Sequence, residues 1–97
     1  MSNTSTPPTL AAFTAQVNSG FAVRALPGVS LALSEAAALP GAASAQQQFS
    51  LIFRGPPQQL LEQATWALAH PVLGTLAIFL VPLGRDAAGI DYQAIFN

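Results

Sequence analysis

Ala64-Thr-Trp-Ala-Leu-Ala-His-Pro-Val-Leu-Gly-Thr-Leu-Ala-Ile-Phe-Leu-Val-Pro82 is the stretch on which the fold turns. No formal charge falls between Gln63 and Gly84, and a helix of that span would cross roughly one bilayer. His70-Pro71 near its middle, Gly74 just after and Pro82 with Gly84 at its end argue against a spanning helix, because His-Pro-Val-Leu-Gly between two apolar runs carries turn chemistry. The stretch therefore reads as two strands, 64–70 and 73–81, meeting at His70-Pro71. In the first, Trp66 and Leu68 oppose Thr65, Ala67 and Ala69. The second is apolar on both sides, with Thr75, Ala77, Phe79 and Val81 on one and Leu76, Ile78 and Leu80 on the other. Such a strand is either central and covered twice or carries a face that a partner covers.

The same period of two recurs on either side. Phe21, Val23 and Ala25 alternate with Ala22, Arg24 and Leu26, Pro27-Gly28 supplies a turn, and Val29, Leu31 and Leu33 then alternate with Ser30, Ala32 and Ser34, which makes a hairpin. Phe49, Leu51 and Phe53 alternate with Ser50, Ile52 and Arg54 until Gly55-Pro56-Pro57 ends the strand. Ile90, Tyr92, Ala94 and Phe96 alternate with Asp91, Gln93, Ile95 and Asn97. Thr9 is placed to cap a short helix carrying Leu10, Phe13 and Val17, closed by Asn18-Ser19-Gly20. A helical turn is expected over 58–63, with Leu60 and Leu61 inward. The alanine-rich segment 35–46, broken at Leu39-Pro40-Gly41, reads as a connector, and 84–89 as a polar, flexible loop.

Six short strands divided by turn signals predict a mainly β, antiparallel six-stranded sandwich or small barrel with one or two short helices. Residues 1–8, rich in Ser, Thr and Pro, read as a flexible N-terminal arm, and 9–97 as a single β domain. The expected core is Phe21, Val23, Leu31, Leu33, Phe49, Leu51, Phe53, Trp66, Phe79, Tyr92 and Phe96.

Composition narrows the function classes. Of 97 residues 52% are hydrophobic and only 7% charged, against roughly 25% charged in an ordinary domain. Arg24, Arg54 and Arg85 are the positive residues, with no lysine, too few for an electrostatic grip on nucleic acid or a polybasic membrane tether. No cysteine is present, which removes disulfides, thiolate zinc sites and a cysteine nucleophile. The first residues have neither the basic region nor the apolar run of a signal peptide. Cytoplasmic residence is the default expectation, with export by another route left open.

Candidate chemistry is sparse. His70 is the sole histidine and reads as a turn residue, since nucleophilic and metal sites need converging partners. Glu35, Glu62, Asp86 and Asp91 are scattered and read as solvated charges rather than a hydrolytic carboxylate pair. Arg54, fixed by the following Gly-Pro, is expected to form a structural salt bridge with Glu62 or Glu35. The glycines lack the spacing and the lysine of a phosphate loop, and the aromatics lack the interleaved basic residues of a base-stacking platform. No catalytic residue, metal ligand or cofactor is expected.

Phe49-Ser-Leu-Ile-Phe-Arg-Gly-Pro56, Leu73-Gly-Thr-Leu-Ala-Ile-Phe-Leu-Val-Pro82 and Tyr92-Gln-Ala-Ile-Phe-Asn97, with Leu61, Gln63 and His70-Pro71 between them, together resemble an uncharacterised bacterial family of domains of unknown function. The likeness covers most of 13–97, and Phe-Arg-Gly-Pro is its more specific piece. Ala64 departs from it, standing where a typical member has glycine after the glutamine. The resemblance implies a small mainly β domain with no assigned activity, and an association with phage-tail-like assemblies.

A surface so poor in charge does not suit a free monomer, whose solubility usually rests on net charge. The expected function is therefore a non-catalytic structural or interaction subunit, self-associating or docking into a larger, fibre-like assembly. Its expected interface is Ile52, Leu76, Ile78, Leu80 and Ile95, uncharged as the centres of permanent interfaces are. The alternative is a small β-barrel that binds an apolar ligand in an interior cavity.

Overall fold

A computed structural model describes residues 8–39 and 48–96. The expected N-terminal arm, apart from Pro8, lies outside the described residues, as do 40–46 of the expected connector, Gln47 and Asn97. The elements are α1 (Leu10–Thr14), β1 (Gly20–Val23), β2 (Ser30–Ala38), β3 (Phe49–Gly55), β4 (Ala64–His70), β5 (Gly74–Asp86) and β6 (Gly89–Phe96). All neighbouring strands are antiparallel and close into a barrel in the order β1-β2-β3-β6-β5-β4. Of the two expected architectures the chain adopts the barrel, which removes the open edges that a sandwich would have to guard.

Local chemistry accounts for the turns. Pro27 and Gly28 occupy the middle of a turn in which Val29 N–H donates to the Leu26 carbonyl at 3.0 Å, and Gly28 has φ 87°. This is the type II arrangement, whose third residue needs a positive φ. The β4–β5 hairpin turns through Pro71-Val72-Leu73 and pairs His70 with Gly74. Thr9 caps α1 by accepting from Ala12 N–H at 3.2 Å, and α1 packs against β2, whose last residues extend beyond the reach of the short β1.

The barrel interior holds Phe21, Leu31, Leu33, Leu51, Phe53, Leu68, Ile78, Leu80, Ile90 and Tyr92, each fully buried. Removing one such side chain from water contributes about 1.5–3 kcal/mol. Phe21 meets Phe53 edge-on at 5.2 Å. Phe49 stacks on Phe96 at 4.9 Å, and Phe13 reaches from α1 to both rings at 5.9 and 5.5 Å. β6 is thus paired with β3 as far as Phe96, which stands opposite Phe49.

Several expectations are corrected. Phe79 is not core: it lies on the outer side of β5 and is 49% exposed, while Ile78 and Leu80 point inward and Leu76 packs against the core. The reason is register, since Trp66 pairs with Ile78 and Leu68 with Leu76, so each inward residue of β4 faces an inward residue of β5. Trp66 and Phe96 are partly buried. No helical turn forms at 58–63; Leu61 is buried but Leu60 is exposed. Residues 35–38 continue β2 instead of leaving it. An irregularity between Leu33 and Glu35 inserts one residue, so Glu35 turns outward and Ala36 takes the inward side opposite Leu51. Strict alternation from Leu33 would have buried a carboxylate. The expected loop at 84–89 is β5 running to Asp86, then a tight turn at Ala87-Ala88.

Candidate functional site

His70 ends β4 and is 5% exposed, with its ring 4.4 Å from that of Phe21. Its Nδ1 accepts from the backbone N–H groups of Val72 at 3.0 Å and Leu73 at 3.2 Å. An imidazole nitrogen that accepts carries no proton, so the proton sits on Nε2. Nε2–H then donates to Ser19 Oγ at 2.9 Å, and the Ser19 hydroxyl donates to the Gln16 carbonyl at 2.6 Å. The structure thus brings together a serine and a histidine that lie 51 positions apart, with the polarity opposite to that of an activated nucleophile. The histidine gives its proton toward the serine, and the serine gives its own to a backbone carbonyl. The pair ties the segment after α1 to the β4–β5 turn. Sequence reading placed His70 in a turn but carried no sign of Ser19.

Arg54 was expected to pair with Glu62 or Glu35, and it pairs with neither. Its Nη1 donates to Asp91 Oδ1 at 2.8 Å and its Nη2 to Asp86 Oδ1 at 2.6 Å. Register again explains the partners: Arg54 stands opposite Asp91 on β6, Glu35 lies opposite Ile52, and Glu62 follows the Gly55-Pro-Pro turn. A second irregularity, between Pro82 and Gly84, shifts the phase of β5. Pro82 faces the same side as Tyr92, yet after the shift Arg85 pairs with the inward Ile90, which leaves Asp86 on the outer side with Arg54. Asp86 Oδ1 also accepts from Ala88 N–H at 2.8 Å and Gly89 N–H at 3.0 Å. The Ala88 amide first, and then the Arg54 guanidinium, hold its pKa below the usual aspartate value, while its two carboxylate partners raise that of Arg54.

Gly89 gives this staple room, and Gly55 gives room to the core behind it. A Cβ on Gly89 would lie 2.8 Å from the Gly55 carbonyl oxygen and 3.0 Å from Arg54 Nε, so the guanidinium stem lies across bare backbone. A Cβ on Gly55 would meet Leu31 Cδ2 at 2.5 Å. The Phe-Arg-Gly piece of β3 is therefore a structural device: Phe53 in the core, Arg54 across β6 to the end of β5, and Gly55 admitting Leu31.

The outer side of β3, β6, β5 and β4 presents Ser50 and Ile52, Gln93 and Ile95, Ala77, Phe79 and Val81, and Thr65 and Ala67. Of the expected interface residues, Ile95 is here at 47% exposed and Ile52 half-buried, but Leu76, Ile78 and Leu80 face the interior. Sequence reading missed Phe79 and Val81, their alternation partners. Thr65 stands opposite Phe79, Ser50 opposite Ile95, and Val81 opposite Gln93. On β3, β6, β5 and β4 the face carries no charge between the Arg54 staple at one end and Arg24, whose Nη1 reaches Thr75 Oγ1 at 3.4 Å, at the other, and outward Glu35 on β2 borders it beside Ile52.

Among the described residues no group of three or more His, Cys, Asp or Glu side chains could hold a metal ion, and no helix is long and apolar enough to cross a membrane. The chain matches the sequence model of a family described as "Domain of unknown function (DUF6916)" over residues 8–96. No curated protein and no solved structure matches it.

Proposed function

The chain belongs to the DUF6916 family of domains of unknown function, and we propose that it is a non-catalytic interaction subunit that self-associates through the outer face carrying Phe79, Ile95, Val81 and Ile52. The observation that supports this reading most is the exposure of Phe79 and Ile95, whose cross-strand neighbours Thr65 and Ser50 are uncharged, with Glu35 at the border of the face beside Ile52. Depletion of charge with an aromatic at the centre is the composition of interface cores. A net charge of −1 sets up little repulsion between copies. Docking on a larger protein assembly would use the same face. The closest thing to a catalytic pair, Ser19 and His70, has its protons committed the wrong way for nucleophile activation.

Sedimentation equilibrium of the full chain tests the proposal. A mass that rises with concentration above the 10.0 kDa of one chain supports it. A mass fixed at that value over the whole accessible range counts against self-association. The apolar-ligand reading in its interior-cavity form has little to support it, because the barrel is filled by large side chains.

A further inference from the structure

We propose that a cleft at the rim of the barrel, beside the β5 irregularity, binds a short aliphatic monocarboxylate whose carboxylate rests on Arg85. The cleft is shallow and largely open to solvent, has a volume of about 220 Å³ and is lined by Leu60, Pro82, Leu83, Gly84, Arg85 and Ile90. Its apolar walls include Leu60 and Leu83, exposed at 48% and 55%. Its inner wall is Ile90, almost fully buried. The volume lies below the roughly 300–1,000 Å³ of sites for drug-sized ligands, which limits the occupant to a small molecule.

Charge decides the headgroup. Arg54 is taken up by Asp86 and Asp91, and Asp86 is further held by two backbone amides. Both nearby carboxylates are therefore engaged away from Arg85, which has no carboxylate within ion-pair distance among the described residues. Register places Arg85 opposite Ile90. It does so only because the extra residue at Pro82–Gly84 changes the phase of β5; strict alternation would have put Arg85 on the outer face and Asp86 toward the cleft. A guanidinium beside an aliphatic cleft matches a ligand with a carboxylate on an apolar tail, since Arg holds carboxylates in two-pronged geometry. This inference is independent of the self-association reading.

The test is a titration of the isotope-labelled full chain, followed by amide NMR, with butanoate, hexanoate and octanoate and with hexanol as the uncharged control. Saturable shifts are expected at Leu60 and over 83–90, with affinity rising about fourfold per added methylene until the cleft is full. Arg85→Gln should weaken hexanoate about fivefold, the scale of one exposed ion pair, and leave hexanol unchanged. Leu60→Gln, an exposed position outside the barrel strands, should weaken all the acids. The proposal is overturned by the absence of saturable shifts at millimolar acid, by hexanoate binding that Arg85→Gln leaves intact, or by shifts centred on Phe79 and Ile95 instead of the cleft.

Discussion

Tyr92→Phe isolates one buried hydroxyl whose partners lie in the chain between β3 and β4. The Tyr92 hydroxyl accepts from Leu61 N–H at 3.0 Å and donates to the Gln59 carbonyl at 3.4 Å. Tyr92 and Leu61 are both fully buried. Phenylalanine keeps the ring and its packing, so the change removes the oxygen alone and leaves the Leu61 amide without its acceptor. A buried donor stripped of its partner costs about 1–3 kcal/mol. The longer bond to Gln59 contributes less, and the loop can admit water on the exposed side of Gln59, so a net loss of about 1–2 kcal/mol is expected. In a domain whose whole stability is about 5–10 kcal/mol this is a large fraction, equivalent to roughly 5–15 °C in Tm. Urea denaturation with an unchanged m-value is the assay, because an altered slope would report a change in compactness rather than a lost bond. A loss below about 0.5 kcal/mol would refute the reasoning, since that is the range of surface substitutions.

Further expectations concern the core and the staple. Gly55→Ala places a methyl against Leu31 and should cost about 1–3 kcal/mol by overpacking, read by thermal melting; Leu31→Ala in the same chain should recover part of the Gly55 penalty. Deleting residues 95–97 removes the Phe96 ring stacked on Phe49 and packed on Phe13, and should cost a few kcal/mol, on the order of 3; an unchanged Tm would contradict the pairing of β6 with β3. Asp86, with its pKa held below the ordinary value of 3.8, supports stability above that value, and the support is lost as the pH falls through its lowered value. Asp86→Asn should therefore be less stable at neutral pH and flatten the acid limb of a stability–pH curve, an effect weakened by salt.

Much of the barrel was legible because its strands alternate against water. β1, β3 and β6 each bury the residues that period two picks out, Phe21 and Val23, Phe49, Leu51 and Phe53, Ile90, Tyr92 and Ala94. β5 was not legible in this way, for both of its sides are apolar and periodicity cannot choose between them. Counting outward from the His70-Pro71 turn would have put Ile78 beside Trp66 and left Phe79 outside, so the lost information lay in register rather than composition. The two irregularities hid the rest. Each adds one residue: in β2 it keeps Glu35 from turning inward, and in β5 it moves Asp86 to the outer side while setting Arg85 opposite Ile90, and an inserted residue leaves no periodic trace in a single chain. The partners of Arg54 and of His70 are likewise matters of strand pairing, 32 and 37 positions away for the arginine and 51 for the histidine.

The mass of Phe79→Lys measured by light scattering, beside its circular dichroism and with Ile78→Lys as the neighbouring control, tests the account most directly. Phe79 lies on the outer face and Ile78 in the core, so one charge at adjacent positions should act in opposite ways. Phe79→Lys should keep the β spectrum and fall from the oligomer proposed for the wild type to 10.0 kDa, because a lysine is harmless in water and costly in a desolvated contact; Ile78→Lys should unfold. A Phe79→Lys protein that keeps the wild-type mass, or a wild-type chain already at 10.0 kDa at the highest attainable concentration, would contradict self-association through this face.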